Sequence, residues 1–170
     1  LMNAIRLIII PTFDVPMEDL VKYFREKGCD YYHEYSQSYS SLQIRGKTVQ
    51  IVGGDCGSSA LFFILMGATH VIQYESDKEK VELFNSEVCR KFNICGNVTT
   101  YGAWDGKYHD VDIFIIDCEG CEQNLNLERV KKYEQFCVGV HSWTPNKLSL
   151  LKGLQGFTFR YITGDEKDGK

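Results

Sequence analysis

One stretch, Val49 to Asp77, constrains this chain more than any other: VQIVGGDCGSSALFFILMGATHVIQYESD. The apolar run Val49 to Val52 predicts a buried strand. Gly53-Gly54-Asp55-Cys56-Gly57 predicts a turn, and serines able to cap a helix lead into the apolar helix Ala60 to Met66. A second apolar run, Val71 to Tyr74, ends at Glu75, 22 residues after Gly53. In open α/β sheets, glycines at the first strand-to-helix turn let the backbone approach a ligand. A carboxylate about 20 residues on accepts hydrogen bonds from ribose hydroxyls. The stretch therefore predicts a unit that binds an adenosine-containing cofactor. A plain glycine turn is the alternative, and the acid at the end of the second strand argues against it.

The spacing of the glycines selects among cofactors. A dinucleotide fingerprint needs G-x-G-x-x-G, yet Asp55 and Ser58 stand where its second and third glycines belong. Without them a pyrophosphate packs poorly on the helix N-terminus, which disfavours a nucleotide-dependent dehydrogenase. Gly53-x-x-x-Gly57 suits S-adenosylmethionine, whose methionine part carries no phosphate to cradle.

A second signal is VDIFIIDCEGCE, Val111 to Glu122, an apolar strand ending in acids around a glycine. Open α/β sheets bind ligands at the carboxyl ends of their strands. Asp117, Glu119 and Glu122 are thus expected to face the same crevice as Gly53 and Glu75. Their mutual repulsion is expected to raise the pKa of at least one of them. A solvated acidic turn is the plainer alternative.

The pair VGGDCGSS and IIDCEGCE resembles the FkbM-type methyltransferases, a class I S-adenosylmethionine-dependent family. Its motifs look like V-D-V-G-A-N-x-G-x-x-S and K-I-D-V-E-G-x-E. The resemblance spans roughly Leu42 to Ile162 and includes CVGVHSW, a late strand ending in His141. It implies a Rossmann-like, doubly wound and mostly parallel sheet in a three-layer α/β/α arrangement. It also implies an S-adenosylmethionine-dependent O-methyltransferase acting on a hydroxyl of a small molecule or sugar. Gly53, Gly54, Asp55 and Gly57 would line the methionine end, Ser58 would also contact the cofactor, Glu75 would take the ribose, and Ala103 and Trp104 would border the adenine. Asp117 would sit nearest the sulfonium, with Glu119 or His141 as the base for the acceptor; a neutral histidine is the natural choice at pH 7. Two positions depart from the family: Ile51 replaces an acid and Ile115 replaces a lysine. They favour a competing reading, a non-catalytic module that keeps the fold.

Charge and composition narrow the partners. The formal net charge is −4 and a local basic cluster such as Lys131-Lys132 is no longer than a pair, which argues against a nucleic-acid backbone as partner. The longest apolar run, Ala60 to Ala68, falls far short of a membrane span of ~20 residues. No leader pattern is visible, so a cytoplasmic location is expected. Seven cysteines, an odd number mostly on apolar elements, read as buried hydrophobes in a reducing compartment. Cys118-x-x-Cys121 has chemical spacing, but zinc would need two further ligands, and a redox motif normally opens a helix. No metal is expected.

The remaining pattern alternates strands and helices, as in a parallel sheet. Ser76 and Glu79 suggest a capping box for a helix carrying Val81, Phe84, Val88 and Phe92. Asn97 to Tyr101, Asp112 to Asp117 and Phe136 to His141 predict further strands, with helices within Leu127 to Tyr133 and Pro145 to Leu151. Residues 1–41 are expected to hold a strand (Ile5 to Ile10), a helix capped by Asp14 and ended at Gly28, and a tyrosine-rich loop or edge strand. Residues 42–170 are expected to form the cofactor-binding core, in one compact domain overall. A last strand is expected over Phe157 to Ile162, before the polar tail Gly164 to Lys170. The missing final strand of the usual hairpin is then either absent or replaced by the N-terminal one.

Overall fold

The computed structural model describes residues 15–157. The strand expected over Ile5 to Ile10, the Asp14 cap, the last strand beyond Phe157 and the polar tail lie outside these residues. So does the question of the final sheet strand.

The apolar runs form five strands: β1 Thr48–Val52, β2 His70–Tyr74, β3 Val98–Tyr101, β4 Ile113–Ile116 and β5 Gln135–Val138. They make one sheet, ordered β3-β2-β1-β4-β5, and all its pairings are parallel. Val52 pairs with Tyr74 on one side and Ile116 on the other, which levels the carboxyl ends of the three inner strands. Central strands covered on both faces read as near-continuous apolar runs, and the side chains of β4 are buried throughout.

Alternate residues of β1 serve two cores. Val49 and Ile51 face a cluster with Leu20, Phe24, Leu61, Phe63 and Phe84. Val52 faces another with Tyr74, Phe114, Ile116 and Val130. Gln50 is fully buried on this second side, where its Nε2 donates to Lys107 O (2.8 Å) and its Oε1 accepts from His109 N (2.8 Å). The first face carries α1 Met17–Glu26, α3 Ser58–Leu65, and α4 Lys78–Leu83 continued through a widened turn, Phe84–Val88, into α5 Cys89–Lys91. The second carries α6 Leu127–Val130; α7 Lys147–Gly153 follows β5. Ile51 and Ile115 are register partners and both enter the first core. Their aliphatic side chains are therefore packing residues. Among the described residues no helix is long and apolar enough to cross a membrane.

Three expectations need correction. The cap of α4 is Asp77, whose side chain accepts from Glu79 N (3.0 Å) and Lys80 N (3.4 Å), in place of the Ser76 box. The tyrosine-rich segment is helical, a tight turn over Tyr32–Glu34 leading into α2 Tyr35–Ser38. Tyr32 stacks on Phe24 with ring centroids 5.4 Å apart, and Tyr39 packs 4.9 Å from Phe63. These contacts bury Tyr32, Tyr35 and Tyr39 as core, and residues on both sides of Leu42 enter that core. Third, six cysteines pair, as Cys29–Cys56, Cys89–Cys95 and Cys118–Cys121, with Cys137 outside the pairs. The inference of a reducing compartment loses its basis, because an odd count and apolar neighbours do not prevent pairing once the fold brings backbones within reach.

Cys29–Cys56 closes a chain separation of 27 residues. Loop-closure entropy for a loop of that size corresponds to about 3–4 kcal/mol. The double variant Cys29→Ala/Cys56→Ala should lower the free energy of unfolding in urea by about that amount. A loss below about 1 kcal/mol would show that this link does not constrain the unfolded chain.

Candidate functional site

The strand ends put three sequence signals side by side. Gly53 N and Gly54 N both donate to Tyr74 O, at 2.9 and 2.8 Å, and Asp117 N donates to Val52 O at 2.9 Å. Glu75 fastens the turn: its Oε1 accepts from Asp55 N (2.8 Å) and its Oε2 from Asp77 N (2.8 Å). A carboxylate has about four acceptor positions, so both oxygens keep capacity for further donors.

The glycines are required by the protein's own packing. Gly53 has φ +94°, and a Cβ there would collide with the Asp117 carbonyl. A Cβ at Gly54 would lie 2.7 Å from Gln73 Oε1, and one at Gly57 (φ +86°) would run into the Phe84 ring. The turn is thus explained without a ligand. Glu75, level with the turn, is half-buried and keeps acceptor capacity beyond its two backbone donors.

Two residues expected at the cofactor are occupied otherwise. The Asp55 side chain is buried and ion-paired with Lys80. Burial raises the Asp55 pKa, and Lys80 partly offsets this. The Ser58 hydroxyl is fully buried and shares a 2.8 Å hydrogen bond with Tyr35. The expectation that both residues contact the cofactor is corrected for their side chains: one is paired with a lysine and the other is packed against a tyrosine. Lys80 was missed because a lysine in a first helical turn carries no pattern of its own.

Of the two residues expected to border the adenine, Ala103 is exposed and Trp104 is half-buried. The indole Nε1 donates to Lys107 O (3.0 Å), and its ring packs edge-on to Tyr108 at 5.4 Å. Trp104 therefore belongs in part to the second core. Beside it Tyr74 stacks on the exposed Tyr101 (5.1 Å) and shares a 2.7 Å hydrogen bond with His109 Nε2.

The acidic loop is built around a buried charge system. Glu122 is fully buried; its Oε1 meets His141 Nδ1 at 2.9 Å and accepts from the Thr144 hydroxyl, while its Oε2 accepts from Gly120 N at 2.7 Å. His141 is buried as well, and its Nε2 lies 3.3 Å from Asp117 Oδ1. Burial pushes the Glu122 carboxyl up, but hydrogen bonds from His141, Thr144 and backbone N–H groups outweigh it and hold the pKa at about 2. Burial likewise pushes His141 down, but Asp117 and Glu122 outweigh it and raise the pKa to about 10.

His141 is thus a clamped imidazolium, which corrects the expectation of a neutral histidine base. The carboxylate expected to be raised by its neighbours is instead lowered at Glu122, where hydrogen bonds from that cation, Thr144 and backbone N–H groups outweigh burial. Glu122, expected to face the crevice with Asp117 and Glu119, is instead enclosed, because its carboxylate is taken up by His141, Thr144 and the Gly120 amide; Thr144 is the member that sequence reasoning left out. Asp117 and Glu119 remain exposed. Glu119 adopts φ +52°, unusual for a residue with a side chain, and its Oε1 accepts from the Tyr31 hydroxyl at 3.3 Å. Cys29, Asp55 and Cys56 bring potential metal-binding atoms within 4.8 Å of one another. The two sulfurs are bonded to each other and Asp55 is held by Lys80, so the set offers no open ligands.

The fold is that of the class I S-adenosylmethionine-dependent methyltransferases. It is similar to the C-terminal domain of precorrin-6Y C5,15-methyltransferase from Rhodobacter capsulatus (TM-score 0.56, 16% identity, 69% of this chain and 66% of that one). It is also similar to an O-methyltransferase from Bacillus cereus in complex with SAH (TM-score 0.53, 16% identity, 74% of this chain and 63% of that one). The chain thus spans slightly less than two thirds of these structures. In sequence it is 47% identical over 152 residues to Uncharacterized protein 65 of Sulfolobus islandicus filamentous virus (isolate Iceland/Hveragerdi), covering 89% of this chain and 96% of the relative. Uncharacterized protein 158B of Sulfolobus islandicus rod-shaped virus 1 is 41% identical over 147 residues, 86% of this chain and 93% of the relative. The chain belongs to the family of these two viral proteins. No protein-family model matches it.

The buried pair predicts a stability profile. Glu122, lowered from its ordinary 4.5, contributes fully above that value and loses its contribution as pH falls through about 2. His141, raised from 6.5, contributes fully below that value and loses its contribution as pH rises through about 10. Urea unfolding should therefore show a plateau between these limits and a decline on each side. His141→Ala strands a buried carboxylate and should cost about 3–5 kcal/mol on the plateau. An alkaline decline of undiminished size in that variant would remove the assignment.

Proposed function

We propose that this chain is an S-adenosylmethionine-dependent methyltransferase of FkbM type, acting on a hydroxyl of a small molecule or sugar. The observation that carries this reading is Glu75, held by two backbone N–H groups at the carboxyl end of β2, level with the glycine turn and with the exposed Asp117. The similarity in fold to an O-methyltransferase in complex with SAH supports it.

S-adenosylmethionine supplies, when bound, an activated methyl group with its own leaving group. The chain's part is position and charge. Glu75 accepts from the ribose hydroxyls, Ala103 and Trp104 border the adenine, and Gly53, Gly54 and Gly57 keep side chains out of the turn. Asp117 presents a carboxylate to the cationic end, with one oxygen fixed by His141. Glu119 receives the acceptor's proton, since His141 is doubly paired and Glu122 is enclosed.

A second reading rests on Ile51 and Ile115, the departures from the family pattern, both committed to the core. It makes the chain a non-catalytic module with the same fold. Calorimetry with S-adenosylmethionine, S-adenosylhomocysteine and NAD separates the readings. S-adenosylhomocysteine should bind, and Glu75→Ala should weaken it by about 10- to 100-fold, as expected for a hydrogen bond to a charged group. Unchanged affinity would take Glu75 out of the site. On a verified acceptor, Glu119→Gln should spare cofactor affinity and slow turnover by about 10²–10⁴. Tight cofactor binding with no methylation across a broad hydroxyl panel would favour the non-catalytic reading.

A further inference from the structure

The segment between α1 and β1 is fastened to the cofactor turn. Cys29 is disulfide-bonded to Cys56 within the turn, and Tyr35 is hydrogen-bonded to Ser58 just after it, at 2.8 Å. Tyr32 and Tyr35 are buried in the aromatic core. Tyr31, between these anchors, turns away from that core: it is 42% exposed, and its hydroxyl donates to Glu119 Oε1 at 3.3 Å. Burial and the charges of Glu119 and Asp55 raise its pKa, while Lys80 lowers it. One phenol is therefore bonded to a carboxylate of the acidic loop and coupled electrostatically to Asp55 of the glycine turn. The far side of this contact is fixed too. Gly120 N donates to Glu122 at 2.7 Å, and Cys118–Cys121 closes the loop that presents Glu119.

We propose that Tyr31 is a binding residue of the crevice, its ring set against the methionine end of S-adenosylmethionine where the glycine turn and the acidic loop meet. This rests on the reading of the crevice as an S-adenosylmethionine site. An aromatic face attracts a cation held within about 6 Å of its centroid. The sulfonium of the cofactor is such a cation, and the thioether of S-adenosylhomocysteine is not. Tyr31 thus discriminates charged from spent cofactor and takes no part in proton transfer. Its exposure means that replacement leaves the core intact, which unchanged thermal unfolding would verify.

The test is calorimetry on the full chain, Tyr31→Ala and Tyr31→Phe, with S-adenosylmethionine, S-adenosylhomocysteine and adenosine as probes. Tyr31→Ala should weaken S-adenosylmethionine by roughly 5- to 30-fold, the range of a cation–π contact, and adenosine by no more than about twofold. S-adenosylhomocysteine should lose less than S-adenosylmethionine, so the ratio of the two reads the contact even where adenosine binds too weakly to measure. Tyr31→Phe keeps the ring and should hold S-adenosylmethionine within about threefold of wild type. Unchanged S-adenosylmethionine affinity in Tyr31→Ala overturns the proposal. Equal weakening of all probes overturns it as well, because that marks a disturbed wall. If wild type binds none of the three, the cofactor reading fails and this assignment falls with it, a result distinct from the other two.

Discussion

The turn after β1 and the end of β4 approach until no side chain fits between them. At Gly53 a Cβ would strike the Asp117 carbonyl, so backbone meets backbone there. The approach follows from parallel pairing that sets Val52 against Tyr74 and Ile116 in one row. From that row the turn, Glu75 and the acidic loop extend in one direction. Move β4 by one residue along β1, and Asp117 would no longer lie beside Gly53.

Buried charge organises the loop beyond β4. Glu122 and His141 would each be costly to enclose alone, since an ion leaving water loses several kcal/mol of solvation. Together, and with Thr144, the Gly120 amide and Asp117, they satisfy one another. The arrangement sorts three acids by environment: Glu122 inside as a strut, Asp117 at the boundary with one oxygen held, and Glu119 outside on strained backbone. Such strain persists only where surrounding structure enforces it. Here the Cys118–Cys121 link and the Glu122 bond to Gly120 do so.

Much of this was legible in the residues. The strands at Val49, Val71 and Ile113 and the helix after Gly57 followed from apolar runs bounded by glycine and acids, because those patterns act over a few neighbours. The level placement of Gly53, Glu75 and Asp117 followed from the carboxyl-end rule for open sheets. Most of what failed depended on contacts distant in sequence. Cys29 meets Cys56 only after α1 and α3 have packed. Lys80 meets Asp55 only across the turn. The role of His141 inverts because two acids converge on it. Ser76 and Asp77 are adjacent residues of similar capping ability, and only backbone direction decides between them.

Gln50 gives β1 an alignment mark. It is an amide in the middle of an apolar strand, and both of its ends are consumed by one loop, at Lys107 and His109. A slip of one residue would turn every side chain of the strand to the opposite face. Gln50 would then be forced among the aliphatic and aromatic residues of the first core, with its donor and acceptor stranded there and two backbone groups of the loop abandoned. Each such group costs about 1–3 kcal/mol when left unpaired. Aliphatic residues alone tolerate either face, so within the buried run Val49 to Val52 it is the one polar side chain that distinguishes the right alignment from its neighbours.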